Sequence, residues 1–235
     1  MLTDQLLPTD TRMGGVSLDV GDVDAMTRFY RDVLLLETIS DAGSVVELGR
    51  GGETLVTLRH APGLPRNERR SAGLFHTALL HPDQASLATT LASVALQHPT
   101  LYTGSGDHLV SQAFYLDDPE GNGVELYVDR PRDTWQWQSG RVVMDTLFID
   151  PNEFLTEHLT DAGRELLQTD PGRRGPGSAG QVVGHVHLKV GQTAAAKDFY
   201  VDSLGFEVTA ELPGALFVSA GGYHHHMAMN TWQSA

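Results

Sequence analysis

Two segments of the chain repeat each other in register, and this repeat constrains the fold more than any other feature of the sequence. Residues 15–52 align without gaps onto residues 185–222, an offset of 170 positions. The aligned stretches begin "GVSLDVGDVDAMTRFYRDVLLLET" and "HVHLKVGQTAAAKDFYVDSLGFEV", and they match on both sides of the shared Phe-Tyr pair. Self-similarity at a fixed period indicates that one structural unit has been duplicated.

Each copy is predicted to form a βαβββ unit. A short alternating strand is followed by a helix that carries Phe-Tyr near its end, and then by two strand-like runs joined through glycines. A more diverged third copy lies between them, with "LFHTALL" as its first strand and "QAFYLDDPEGNGVELYV" as its last hairpin. The three units cover residues 13–60, 73–130 and 181–233. The Phe-Tyr pairs of the outer copies are interpreted as core packing.

The units group into larger predicted regions. We expect an N-terminal domain over residues 1–131, a connector over residues 132–180 and a third module over residues 181–235. The connector is rich in charged residues, Pro and Gly, and it ends in "DPGRRGPGSAG", so we expect it to be exposed. The predicted fold class is α+β, with repeated βαβββ modules forming cupped mixed sheets.

Composition excludes several classes of function. The formal net charge of −14 argues against broad electrostatic binding to nucleic acid or to anionic membranes. No apolar run approaches the roughly 18 residues of a membrane span, and the N-terminus does not resemble a signal peptide. The simplest expectation is a soluble cytoplasmic protein. The chain contains no cysteine, so a metal would need His, Asp or Glu ligands.

Equivalent strand positions carry candidate metal ligands in two of the three copies. His76 and His185 occupy the position that is Gly15 in the first copy, three residues before a shared leucine. Glu125 lies within the apolar last strand of the second copy, where a carboxylate is costly unless it is paired or bound to a metal. The third copy offers "HHH" at residues 224–226. Strand alternation would place His224 and His226 on one face and His225 on the other.

Imidazole combined with carboxylate suits a divalent transition metal. Such donors serve Fe(II), Mn(II), Ni(II) and Zn(II), and an arrangement with open coordination positions suits non-haem Fe(II) and oxygen. Fe(II) is therefore the first expectation, with the other three metals as alternatives. The remaining histidines lie in or beside polar segments and are expected to be surface residues: His60, His81, His98 and His158.

The units resemble the βαβββ modules of the vicinal oxygen chelate superfamily, which holds extradiol dioxygenases, glyoxalase I and bleomycin-resistance proteins. The stretches "GHVHLKV", "DPEGNGVELYVDRPRDTWQW" and "FVSAGGYHHHMAMNTW" are similar to the catechol-2,3-dioxygenase-like group with four modules. The resemblance implies paired modules that form a cupped sheet around a metal. Carried over by position, it implies His76, Glu125, His185 and His226 as ligands.

The chain departs from that pattern because only three modules are recognised in it. Pairing the second module with the third would bring all four candidate ligands into one cup. We expect that pairing, with the first module unpaired or meeting another chain. A homo-oligomer or a truncated chain would account for the departure, because an exposed half-cup is an aggregation hazard.

The expected function is a metal-dependent extradiol dioxygenase that cleaves a small aromatic diol with O₂. The metal would act as template and Lewis acid while a nearby base removes a phenolic proton. Candidate catalytic residues beside the metal are His108, His187, Tyr223 and His224. Two alternatives stay open: a glyoxalase I-like lyase, which a site with four protein ligands would favour, and a non-catalytic small-molecule binding or resistance protein.

Overall fold

The first copy of the repeat forms a four-stranded sheet covered by one helix. The computed structural model describes residues 6–65, 68, 70–169 and 180–234. The elements are β1 (Val16–Val20), α1 (Val23–Arg28) continued by a π-helical turn (Phe29–Val33), β2 (Glu37–Asp41), β3 (Val45–Arg50) and β4 (Glu53–His60). The strands run in the order β1-β4-β3-β2, with β1 parallel to β4. Asp22 caps α1 by accepting a hydrogen bond from the Ala25 N–H.

The second and third copies share one curled sheet of eight strands. The second copy comprises β5 (Gly73–Leu80), α2 (Gln84–Gln97), β6 (Tyr102–Asp107), β7 (Ser111–Asp117) and β8 (Gly123–Asp129). The third comprises β11 (Val182–Lys189), α5 (Thr193–Lys197) with a π-helical turn (Asp198–Ser203), β12 (Glu207–Leu212), β13 (Ala215–Ser219) and β14 (Met227–Asn230). The order is β12-β13-β14-β11-β5-β8-β7-β6, so the sheet is mixed. The α+β class and the βαβββ modules are confirmed.

The centre of the large sheet is the antiparallel pair β5 and β11. His187 lies opposite His76, and His185 lies opposite Ala78. The first strands of the second and third copies are thus direct neighbours, which is the expected pairing of these two modules. This strand pair matters for function because both strands carry candidate metal ligands.

The segment between the second and third copies contains regular structure that the sequence did not predict. It includes β9 (Trp137–Gln138), β10 (Arg141–Val142), α3 (Pro151–His158) and α4 (Asp161–Gln168). Asp150 and Thr160 cap the two helices, and both helices pack on α2. Within the described ranges, no helix combines the length and apolarity that a membrane crossing needs. The boundaries 1–131, 132–180 and 181–235 stay predictions.

The two Phe-Tyr pairs have different environments. Phe29 and Tyr30 are buried at 2% and 1% exposure against α2, and Tyr30 Oη donates a 3.2 Å hydrogen bond to Asp118 Oδ2. Phe199, the equivalent of Phe29, is 53% exposed. The expectation of core packing is therefore wrong for Phe199. The helix position is the same in both copies, but only the first copy has α2 packed against it.

His81 was expected at the surface, and the structure places it in the interior at 2% exposure. Gln181 Nε2 donates to His81 Nε2 at 3.1 Å, and His81 Nδ1 lies 3.2 Å from Ser86 Oγ. The expectation was wrong because residues just before α2 are covered by the start of β11. His60 and His98 are exposed, as expected.

Candidate metal centre

Three side chains from three adjacent strands converge on one point of the large sheet. Ala78 of β5 is paired on one side with Glu125 of β8 and on the other with His185 of β11. His76 precedes Ala78 by two residues and therefore points to the same face. Because the alanine side chain is small, the larger groups around it can meet above the strand.

The distances within this cluster are short. His76 Nε2 lies 3.0 Å from Glu125 Oε2, and His185 Nε2 lies 3.1 Å from the same oxygen. One candidate ligand atom from each of the three residues lies within 4.8 Å of the others. All three residues are buried. Such a group of converging donors matches the arrangement a small cation requires.

Burial and mutual contact set the charge of the cluster. Burial alone would raise the pKa of Glu125, but the imidazoles of His185 and His76 more than offset this and hold that pKa well below its usual range. Burial lowers the pKa of His185 to about 4, although Glu125 acts in the opposite direction. Near neutral pH the cluster therefore holds an ionised carboxylate beside a neutral imidazole, the protonation states that metal binding requires.

One of two unpartnered buried nitrogen atoms supports a fit to a metal ion. Among the described residues, His76 Nε2 and His185 Nδ1 have no hydrogen-bond partner. The His76 nitrogen is close to Glu125 Oε2, but the pair does not meet hydrogen-bond geometry. Unsatisfied buried nitrogen is costly in free energy. A divalent transition metal that accepts both the imidazole and the carboxylate lone pairs would remove that cost for His76.

A cavity of about 520 Å³ opens directly over the cluster. His76 and Glu125 line its floor together with His187 and His225. His187 packs its ring 5.0 Å from that of His76, and its Nε2 accepts a 2.9 Å hydrogen bond from Asn230 Nδ2. Burial lowers the pKa of His187 well below its usual value. His187, one of the predicted catalytic residues, is thus a neutral side chain that faces the cavity.

His108 is also a lining residue, and it forms a pair with Tyr115. His108 Nδ1 lies 2.9 Å from the carbonyl oxygen of Asp145, so Nδ1 is the protonated nitrogen, and Nε2 accepts the Tyr115 O–H at 2.7 Å. Tyr115 lies opposite Glu125 across the β7-β8 hairpin. Burial and Glu125 raise the pKa of Tyr115 well above its usual value. Tyr115 was missed, although the hairpin register predicted from its turn would have placed it beside Glu125.

The triple histidine is placed differently from the prediction. β14 begins at Met227, so residues 224–226 lie in the preceding turn and strand alternation does not apply to them. His225, expected on the opposite side, lines the cavity, and its ring lies 4.1 Å from that of His185. The predicted orientation of the three residues is therefore wrong.

His226 lies outside the cluster of converging ligand atoms. Its Nδ1 accepts a 3.2 Å hydrogen bond from the Ala220 N–H, and its ring packs 5.0 Å from that of Tyr223. Because Nδ1 accepts this hydrogen bond, a neutral His226 carries its proton on Nε2, and neither nitrogen offers a free lone pair to a metal in this arrangement. Burial lowers the pKa of His226 to about 4.

His224 and Tyr223 belong to a hydrogen-bonded chain behind the cavity. His224 Nε2 lies 3.0 Å from Asp129 Oδ1, and His224 Nδ1 lies 2.8 Å from His225 Nδ1. Tyr223 Oη donates to Asp129 at 3.3 Å and lies 2.7 Å from Tyr127 Oη. Neither residue lines the cavity, so the direct catalytic role expected for them is not supported. Asp129 and its contact with His224 had no signal in the sequence.

Comparison with known proteins shows which family the chain is similar to. The family model for the Glyoxalase/Bleomycin resistance protein/Dioxygenase superfamily matches residues 12–126 and 182–232. A catechol-2,3-dioxygenase of Bacillus subtilis (strain 168) is 39% identical over 230 residues, which cover 95% of this chain and 75% of that protein.

A solved structure shows the same fold at lower sequence identity. It comes from Bacillus subtilis subsp. subtilis str. 168 and bears a provisional dioxygenase name; its TM-score is 0.58 at 15% identity. The match covers 95% of this chain, which spans 65% of the length of that one. On the family match and the 39% identical relative together, this chain belongs to the Glyoxalase/Bleomycin resistance protein/Dioxygenase superfamily.

Proposed function

We propose that this protein is an extradiol, catechol 2,3-dioxygenase-like enzyme that cleaves a small aromatic diol with O₂ at a metal held by His76, Glu125 and His185. The observation that carries the proposal is the convergence of these three buried donors beneath a cavity. The 39% identical relative named catechol-2,3-dioxygenase supports the same activity. Fe(II) is the proposed metal.

Three protein ligands favour oxygenase chemistry over the lyase alternative. A bound divalent metal would supply a Lewis acid and a template with open positions for a diol and for O₂. A glyoxalase-like site with four protein ligands would need one more donor in the cluster. His226, the residue expected in that role, lies outside the group of converging ligand atoms.

The side chains that line the cavity can bind the diol and move its proton. Asp129 accepts only, so His224 Nε2 donates to it, and His224 Nδ1 must then accept from His225 Nδ1. This leaves His225 Nε2 as an unprotonated nitrogen, and burial lowers the pKa of His225 well below its usual value. We assign His225 as the base that takes a phenolic proton. Tyr115, held by His108, lies beside Glu125 to position the substrate.

Oxygen uptake tests the proposal. The protein is loaded with Fe(II) without air, mixed with catechol and then exposed to oxygen. We expect stoichiometric O₂ consumption and a yellow ring-fission product, and neither from His185→Ala. Protein that holds one Fe(II) per chain and binds catechol yet consumes no oxygen would contradict the proposal. Activity of Ni(II)- or Zn(II)-loaded protein on a thiohemiacetal would support the lyase instead.

A further inference from the structure

The cavity above the cluster has a polar floor and a rim on which two large apolar side chains lie beside polar ones. The floor carries buried ionisable groups, with Glu125 and His76 exposed by only 2% and 6%. At the rim, Leu212 and Trp232 are 50% and 55% exposed, and Asp145 and Thr146 are exposed on the same cavity. Large exposed apolar side chains at a cavity rim mark a binding surface for an apolar group.

Aromatic rings form the walls between floor and mouth. Phe75 lies 5.9 Å from Trp232 in an edge-to-face arrangement, and His187 lies 5.9 Å from Phe217. Trp232 also packs 5.5 Å from His187. Rings placed in this way favour a flat aromatic ligand, with the substituents of its ring directed towards the mouth.

The charges around the cavity disfavour an anionic substituent. Among the described residues, the cavity lining contains no lysine or arginine. It does contain Asp145 as well as Glu125, and the whole chain carries a formal charge of −14. A carboxylate attached to the substrate ring would lose water without gaining a cation, which is unfavourable.

The cavity is larger than a catechol ring alone requires. Its volume is about 520 Å³, within the range of about 300–1,000 Å³ found for sites that enclose ligands larger than a single ring. The diol occupies the floor, so the remaining space lies beside the apolar walls and the mouth. A substituted catechol fills this space better than catechol itself.

Resting on the proposed function, we propose that the substrates are catechols whose ring bears an uncharged apolar substituent, and that Leu212 and Trp232 select them over carboxylated catechols. The diol lies at the floor and the substituent contacts the two rim side chains. Replacing that substituent with one that ends in a carboxylate sets a negative charge beside Asp145 and against apolar walls. The rim therefore determines which substituted catechols bind.

Binding to Zn(II)-loaded protein tests this inference without turnover. Calorimetry compares 4-butylcatechol with 3-(3,4-dihydroxyphenyl)propanoate and with 4-(2-aminoethyl)catechol, which have similar length. We expect 4-butylcatechol to bind at least about tenfold more tightly than the carboxylate, because burial of apolar groups and of unpaired charge act in the same direction. Equal or tighter binding of the carboxylate would overturn the inference, as would tighter binding of the ammonium compound.

Two variants at the mouth sharpen the test. Trp232→Ala should weaken binding of 4-butylcatechol by about tenfold, as expected for loss of a large apolar contact, and should weaken binding of catechol by less. Leu212→Arg should improve binding of the carboxylated catechol relative to binding of 4-butylcatechol. The control Leu96→Arg, at an exposed position of α2, should leave this ratio of affinities unchanged. Unchanged selectivity in both rim variants would contradict the assignment of these residues.

The outcomes separate this inference from the proposed function. Selective binding of apolar catechols without oxygen uptake by the Fe(II)-loaded protein would disprove the oxygenase and leave the substrate class standing. Oxygen uptake with equal kcat/KM for carboxylated and alkylated catechols would disprove the substrate class and leave the oxygenase standing.

Discussion

His224 Nδ1 lies 2.8 Å from His225 Nδ1, and Asp129 holds the other nitrogen of His224 at 3.0 Å. Two ring nitrogens at this distance share one proton, so the acceptor at Asp129 decides which of them carries it. The chain from Asp129 through His224 thus directs His225 Nε2 to the cavity in its unprotonated form.

Removing the Asp129 carboxylate should abolish the preference of His225 for this tautomer. In metal-free Asp129→Ala, we expect His225 to change from one protonated Nδ1 to a mixture of both tautomers, because His224 no longer has to donate to a carboxylate. Long-range ¹H–¹⁵N NMR of the two ring nitrogens measures this directly. Asp133→Ala, at an exposed position nearby, is the control. Identical nitrogen shifts in wild type and Asp129→Ala would contradict the proposed chain.

Metal affinity should separate the three converging residues from His226. His76→Ala, Glu125→Ala and His185→Ala should each weaken binding of a divalent transition metal by more than about 100-fold, because changes even beyond the ligands cost about 10–100-fold. His226→Ala should keep full stoichiometry, since His226 lies outside the cluster. Chelator competition and elemental analysis give both values. Loss of metal from His226→Ala would restore it as a ligand.

Buried His81 should make the fold sensitive to acid. Burial, with a smaller contribution from Arg50, lowers the pKa of His81 to about 3. The unfolded chain therefore binds a proton between pH 6.5 and about 3 that the folded chain does not, and stability falls as pH falls, by about 1.4 kcal/mol per pH unit. This loss is absent above the unfolded pKa.

Replacing His81 tests the predicted direction of this pH dependence. Between pH 7 and pH 5, wild type should lose about 2 kcal/mol more unfolding free energy than His81→Gln, measured by denaturant titration at both values. The matched control is His60→Gln, at an exposed position on β4, which should follow wild type. A parallel pH response of His81→Gln and wild type would show that His81 does not remain neutral when buried.

The internal repeat places a tyrosine at the same helix position in the first and third copies, and this pair tests the contact between the first two copies. Tyr30→Phe should destabilise the protein by about 1–2 kcal/mol, because buried Asp118 loses one hydrogen-bond donor. Tyr200→Phe, at the equivalent and only half-buried position of the third copy, should cost less than about 0.5 kcal/mol. Denaturant midpoints decide between them, and equal losses in both variants would contradict a specific role for the Tyr30 contact.

Local patterns were sufficient to predict the modules but not every environment within them. The repeat, the alternating strands and the turn signals predicted βαβββ units because these features depend on neighbouring residues. They could not predict that Phe29 is buried and Phe199 exposed, since that difference depends on α2, which is distant in sequence. His81 was misplaced for the same reason. Oligomeric state and cellular location stay predictions.

The sequence by itself determined that His76 and His185 occupy equivalent strand positions and that Glu125 lies in an apolar strand, because strand periodicity is a local property. Only the tertiary structure decided how these residues meet, since the registers that place Glu125 and His185 on either side of Ala78 join distant segments. It also decided the roles in the triple histidine. Gly221 and Gly222 adopt positive φ and turn the chain before β14, so His225 rather than His226 faces the cavity.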